Sequence, residues 1–159
     1  MEKALIVGGS NGIGLAIALE LSQTYKHVII VDKVAPDNTI PSNCSFTKAN
    51  LLSGDFSFLN NFSDIDTLVI TAGFGRVAAF ESITSTEINN SFKVNTIAIF
   101  QILRHYFKRI QQSTPFHCAV MGSIAGLVSS PLFALYGATK AAVCNGIESL
   151  NIELEQSGT

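Results

Sequence analysis

The sequence predicts an α/β fold in which a parallel β-sheet carries helices on both faces. Three observations predict it. Short β-rich runs alternate with helical stretches along the chain. The runs are continuously apolar more often than alternating, as strands covered on both faces require. The first run also passes through a glycine-rich turn straight into an amphipathic helix. The 159 residues, 47% of them apolar and 14% charged, suffice for one well-buried domain and lie far from the composition of a disordered segment. One domain over residues 1–159 is the expectation, since no repeat, low-complexity tract or linker interrupts the chain.

The elements follow in order. Ala4 to Val7 is the first strand, an unbroken apolar run, and Gly12 to Gln23 is a helix with Ile13, Ala16, Ile17 and Leu21 along one side. Val28 to Val31 is the second strand. Between Asp32 and Cys44, Pro36 and Pro41 predict an irregular crossover, because proline removes a donor and restricts the residue before it. Ser45 to Ala49 and Thr67 to Thr71 read as strands, with a weaker helix near Asp55 to Asn61 between them. Thr84 to Gln112 reads as one long helix. Its stripe of Ile88, Phe92, Ile99, Leu103, Tyr106 and Ile110 holds a single polar intruder, Asn95, which needs a partner if it is buried. Ile97, Phe100 and Phe107 add a second apolar face, which points to deep burial or a subunit interface. Cys118 to Met121 is the fifth strand and Tyr136 to Gln156 the closing helix.

Composition excludes several function classes. Ten basic and 12 acidic residues give a net charge of −2 without a basic run, so neither nucleic acid nor anionic lipid is an expected partner. Cys44, Cys118 and Cys144 are too far apart for a disulfide framework or a zinc site and fit a reducing cytoplasm; Cys118 and Cys144 are expected to be packed. His27, His105 and His117 show no ligand spacing, and no metal is expected. Met1 to Lys3 leads directly into a strand, which predicts no cleavable signal. The longest uncharged stretch, Ile110 to Thr139, is broken by glycines and prolines and predicts no membrane span.

Three groups of residues carry chemistry. The turn Gly8-Gly9-Ser10-Asn11-Gly12-Ile13-Gly14 joins strand to helix, and glycines there allow positive φ and a close approach of backbone to a pyrophosphate at the helix N-terminus. A purely structural turn uses the same residues. Asp32 ends the second strand, 18 residues past Gly14, where a carboxylate accepts both ribose hydroxyls and repels a 2′-phosphate. That favours NAD(H) over NADP(H), although the adjacent Lys33 tolerates extra phosphate and a solvated turn aspartate is the bland alternative. Third, Tyr136 and Lys140 lie four residues apart on one helix face, with Ser123 at the end of the fifth strand, where ligands sit in open parallel sheets. An ammonium beside a phenol favours the phenolate and suits acid/base work. Taken alone, Tyr-x-x-x-Lys is most often a surface pair.

Together these residues resemble the short-chain dehydrogenase/reductase family. Gly8, Gly12 and Gly14 match its Gly-x-x-x-Gly-x-Gly turn; Ser123 stands 13 residues before Tyr136 and Lys140, as its active-site pattern requires, and Asn95 matches the helix asparagine. The resemblance implies a Rossmann-type doubly wound sheet and a hydride-transfer oxidoreductase acting on a carbonyl or secondary alcohol. Tyr136 would be the acid/base, Lys140 would hold the nicotinamide ribose, Ser123 would bind the substrate oxygen, and Asn95 would support Lys140 through its backbone and a water. It places the cofactor along Gly8, Ser10, Asn11, Gly12, Ile13, Gly14, Asp32, Asn50, Leu51, Ala72, Gly73, Tyr136 and Lys140. It also implies a homodimer or homotetramer through the helices 84–112 and 136–156.

The chain departs from the family pattern in four places. Ile70-Thr71 replaces two asparagines, removing side-chain hydrogen bonds that steady the sheet; Val7 replaces a threonine and Asn50 an aspartate near adenine. The family continues with further strands after the closing helix, whereas this sequence stops at Ser157-Gly158-Thr159, so a C-terminally incomplete domain is expected. A nucleotide-binding or regulatory domain without turnover, or an inactive piece of a longer enzyme, are the competing readings. Apolar Leu127, Val128, Pro131, Leu132 and Phe133 before Tyr136 hint at a hydrophobic substrate and equally fit ordinary packing.

Overall fold

The computed structural model describes residues 2–37, 39–112 and 115–156; the terminal Ser157, Gly158 and Thr159 lie outside them. The expected strands are present as β1 (Lys3–Val7), β2 (His27–Asp32), β3 (Cys44–Lys48), β4 (Thr67–Ile70) and β5 (His117–Val120), in one parallel sheet ordered β3-β2-β1-β4-β5. The chain separates into two compact units, Met1–Ala72 with His105–Met121, and Gly73–Arg104 with Gly122–Thr159.

The sheet belongs to the first unit. Apolar residues from one face of the central strands, Ala4 and Ile6 of β1, Val28 and Ile30 of β2 and Val69 of β4, pack with Ala18 and Tyr25. Ala18 comes from α1 (Gly12–Leu21), which lies against β1 and β2. Each fully buried aliphatic side chain contributes roughly 1.5–3 kcal/mol, so the three central strands dominate the stability of this unit. The Tyr25 and Thr67 hydroxyls meet at 2.6 Å inside it.

The fifth strand differs from expectation. His117, Cys118 and Ala119 are exposed, because β5 is the edge of the sheet and pairs on one side with β4. Cys118 is therefore not packed, and Cys144 is half-buried. The weak helix near Asp55 to Asn61 is a 3₁₀ segment, Ser57–Phe62, whose last carbonyl accepts the Tyr106 hydroxyl at 3.0 Å. Burial, assisted by Asp64, pushes the Tyr106 phenol far above its ordinary pKa, so this tyrosine is a structural donor.

The long helix has three parts. α2 (Ser85–Phe92) begins at a capping box, with Thr84 Oγ1 accepting from Glu87 N at 3.2 Å and Glu87 Oε2 accepting from Thr84 N at 2.8 Å. A π turn, Lys93–Ile97, follows, and α3 (Ala98–Ile110) completes the helix. The regular 3.6-residue pattern does not predict that wider turn. It lies where Asn95 is drawn inward to the backbone of Phe74. The second apolar face is also partly satisfied within the second unit: a methyl group at Gly146 of α4 (Ala134–Gln156) would fall 2.4 Å from the Phe100 ring, so Phe100 packs on that glycine and Ile97 stays half exposed.

Leu132, in the loop before α4, has φ +68. A β-carbon is disfavoured there by about 1 kcal/mol or more. Since the side chain is half exposed, Leu132→Gly is expected to raise stability by about 0.5–1 kcal/mol, read as a higher melting temperature. An unchanged or lowered melting temperature would count against stored strain.

Candidate functional site

The glycine turn is built in the first unit. Gly8 has φ +91, and a β-carbon on it would lie 2.4 Å from Ala72 N; one on Gly14 would lie 2.2 Å from Gly8 O. These two glycines are required by packing. Gly12 is different: φ is +50 and nothing lies within 4 Å of the added carbon. Positive φ beside open space leaves room for a ligand against the backbone.

Two polar observations point the same way. The Ser10 hydroxyl is buried yet makes no hydrogen bond among the described residues, and such a group ordinarily has a partner. The Asn11 side chain makes no capping bond to α1, so the first-turn donors of the helix keep their attraction for an anion. These residues fit a dinucleotide phosphate. Exposed Ile13 borders the turn, and Asp32 accepts the backbone N–H groups of Ser10 at 3.2 Å and Lys33 at 2.7 Å. Asp32 thus ties the end of β2 to the turn while keeping lone pairs for a ribose. Asn50 caps the short turn Leu51–Ser53, its side-chain oxygen accepting from Leu52 N at 3.1 Å.

In place of the asparagine side-chain hydrogen bonds expected to be missing here, Thr71 makes bonds of its own. Its hydroxyl donates to Gly8 O at 3.0 Å and to Val7 O at 3.2 Å, while the N–H groups of Thr71 and Ala72 also reach Val7 O. A short hydroxyl spans from β4 to β1 because the parallel register sets Val7 beside Ile70.

The second unit gathers Asn95, Ser123, Tyr136 and Lys140. Asn95 is fully buried; its Oδ1 accepts from Phe74 N at 2.9 Å, and its Nδ2 donates to Phe74 O at 2.6 Å and Thr139 Oγ1 at 3.1 Å. Thr139 in turn donates to Tyr136 O at 2.8 Å. Both Nδ2 hydrogens of Asn95 and one of the two acceptor sites of its Oδ1 are thus used within this unit. Gly73 lies beside both, a β-carbon there falling 3.4 Å from Asn95 Oδ1 and 3.6 Å from Lys140 Nζ.

Ser123 Oγ accepts from Ala125 N at 3.2 Å and keeps its own proton to donate. The turn it caps, Ile124–Gly126, lies so close to α4 that a β-carbon on Gly126 would meet Lys140 C at 2.6 Å, and one on Gly137 would meet Ala125 O at 2.8 Å. These contacts set Ser123 against the helix turn that carries Tyr136 and Lys140. Lys140 is buried, and that burial holds its ammonium below the ordinary lysine pKa. The Tyr136 ring packs flush on Gly75 and 6.4 Å from the Phe133 ring, contacts of the ring rather than of the hydroxyl.

Sequence reasoning misses Thr139, Gly75 and Gly126. Thr139 is visible only as a polar residue between Tyr136 and Lys140 on a helix, and the two glycines lack a nearby motif. Among the described residues no group of three His, Cys, Asp or Glu side chains could hold a metal ion, and no helix is long and apolar enough to cross a membrane.

Known proteins resemble this chain. Dehydrogenase RED2 of Cochliobolus heterostrophus is 29% identical over 96% of this chain and 61% of its own length. An uncharacterized short-chain type dehydrogenase/reductase of Sinorhizobium fredii, y4eK, is 30% identical over 96% of this chain and 64% of its own. The chain therefore spans under two-thirds of the length of these curated relatives. The solved structure of ElxO with NADP bound superposes with a TM-score of 0.82 at 25% identity, over 99% of this chain and 69% of that one. The family model for short chain dehydrogenase matches residues 2–159. The chain belongs to the short-chain dehydrogenase family.

Proposed function

We propose that the protein is a nicotinamide-dinucleotide-dependent oxidoreductase that interconverts a carbonyl compound and a secondary alcohol. The observation that carries this reading is the second unit's grouping of Tyr136 and buried Lys140 on one helix turn, with the capped turn that begins at Ser123 packed against it. A bound nicotinamide supplies or accepts the hydride. In reduction Ser123 donates a hydrogen bond to the substrate oxygen and Tyr136 gives it a proton; in oxidation Tyr136 takes the proton back. Lys140 holds positive charge beside the reacting groups and binds the ribose. Loops near Tyr136 expose Phe74, Val77, Leu127 and Leu132, which supports a substrate with an apolar substituent. Coupled assays of the native protein against neutral ketones and secondary alcohols, following dinucleotide absorbance, test the reading; no turnover of any of them would sink it.

The Asp32 carboxylate supports NAD(H) as the preferred cofactor, and the NADP held by the related ElxO, together with exposed Lys33 and Lys48, argues the other way. Calorimetric titration is expected to show tighter binding of NADH than of NADPH, with Asp32→Ala narrowing the gap. Tighter NADPH binding by the unaltered protein would reverse the assignment. For assembly, half-exposed Ile97 and Ile152 support self-association through the long helix of residues 84–112 and the helix of residues 136–156. Sedimentation at micromolar concentration is expected to show a dimer or tetramer, and a monomer there would count against it.

A further inference from the structure

We propose that Thr71 is a positioning residue for the cofactor turn: its hydroxyl, reaching from the end of β4, holds the turn after β1 in the shape that receives a pyrophosphate. The inference rests on the dinucleotide reading above. The hydroxyl has one proton, shared between Gly8 O at 3.0 Å and Val7 O at 3.2 Å. Val7 O already accepts the backbone N–H groups of Thr71 at 2.8 Å and Ala72 at 3.0 Å, so the bond to Gly8 O is the one the hydroxyl adds.

Gly8 is the residue on which the turn depends. It sits at φ +91, and Ala72 leaves no room for a β-carbon on it. The Thr71 oxygen also fills the corner where α1 starts, since a β-carbon on Gly14 would lie 2.5 Å from it and 2.2 Å from Gly8 O. One hydroxyl therefore spaces both ends of the turn. Between them lie the two features that face a ligand, the unmatched Ser10 hydroxyl and the open backbone at Gly12. A second tether, Ser10 N to Asp32 Oδ2 at 3.2 Å, holds the middle of the turn to β2. Without the Thr71 hydroxyl Gly8 keeps its N–H bond to Val31 O at 2.8 Å, but its carbonyl loses the Thr71 donor, and donors that must meet phosphate oxygens within a few tenths of an ångström lose their alignment.

The test compares Thr71→Val, which keeps the shape and removes the hydroxyl, with Thr71→Ser, which keeps the hydroxyl. Dissociation constants are measured by calorimetry for ADP-ribose and, by competition, for adenosine, which lacks the phosphates. Thr71→Val is expected to weaken ADP-ribose about tenfold, the effect of one lost hydrogen bond to a buried carbonyl, and to leave adenosine within about twofold, while Thr71→Ser stays within about threefold for both. If Thr71→Val does not fold, Thr71→Ala is read in its place. Unchanged ADP-ribose affinity in the hydroxyl-free variant overturns the proposal. So does a Thr71→Ser variant as weak as it, or an equal loss for adenosine, which would mark general loosening. If the unaltered protein binds neither ligand, the dinucleotide reading falls and this inference with it.

Discussion

Tyr136→Phe is expected to lower turnover by about 10²- to 10⁴-fold with cofactor affinity and fold unchanged. The substitution removes one oxygen. The ring contacts that seat the side chain, Gly75 on one side and Phe133 at 6.4 Å, are made by carbon atoms that phenylalanine keeps. The Tyr136 backbone carbonyl continues to accept from Thr139 at 2.8 Å, so the first turn of α4 stays pinned. On the proposed mechanism, what disappears is the proton that Tyr136 exchanges with the substrate oxygen. Steady-state kinetics beside a dinucleotide titration separates the effects: a fall in kcat at constant cofactor dissociation constant is the expected pattern. Turnover near that of the unaltered protein would remove Tyr136 from the mechanism.

Asn95→Ala is expected to be among the most destabilising single substitutions, at about 2–4 kcal/mol. It strips three hydrogen bonds from a fully buried site and leaves Phe74 N, Phe74 O and Thr139 Oγ1 without that partner, each at a penalty of about 1 kcal/mol or more. A small cavity adds to this. For a chain of this size the change corresponds to a melting temperature lower by roughly 5–15 °C. Activity is expected to fall with it, because Phe74 precedes the glycine on which the Tyr136 ring rests. A melting temperature within about 2 °C of the unaltered protein would show that Phe74 finds other partners.

Some of this architecture is legible in the residues alone because it depends on neighbours in the chain. Period and composition mark β1, β2, β4 and α1 to within a residue or two. The spacing of Gly8, Gly12 and Gly14 announces a strand-to-helix turn, and four-residue spacing places Tyr136 and Lys140 on one face of a helix, whatever the rest of the molecule does. Other features need partners far away in sequence. Thr71 reads as a lost asparagine until its hydroxyl meets Gly8, 63 residues earlier. Asn95 reads as a polar flaw in an apolar stripe until Phe74 and Thr139, 21 and 44 residues away, absorb its donors and acceptor. Phe100 reads as a surface awaiting a partner until Gly146 covers its ring, and Cys118, on a strand whose far side the sequence already leaves unpaired, reads as packed but is exposed.

The sequence by itself determined the fold class, because that follows from local periodicity and spacing, and it nominated Tyr136, Lys140 and Ser123 as candidate reacting groups through the family resemblance. Only the tertiary structure decided which hydroxyl tethers the glycine turn, that Gly12 is open while Gly8 and Gly14 are packed shut, that the Ser10 hydroxyl waits for a partner, and that the long helix widens into a π turn at Asn95. The reason is geometric. A hydrogen bond or a close contact depends on ångström-scale separations set by strand register and helix packing, and two residues 60 positions apart carry no local mark of the partner they will meet.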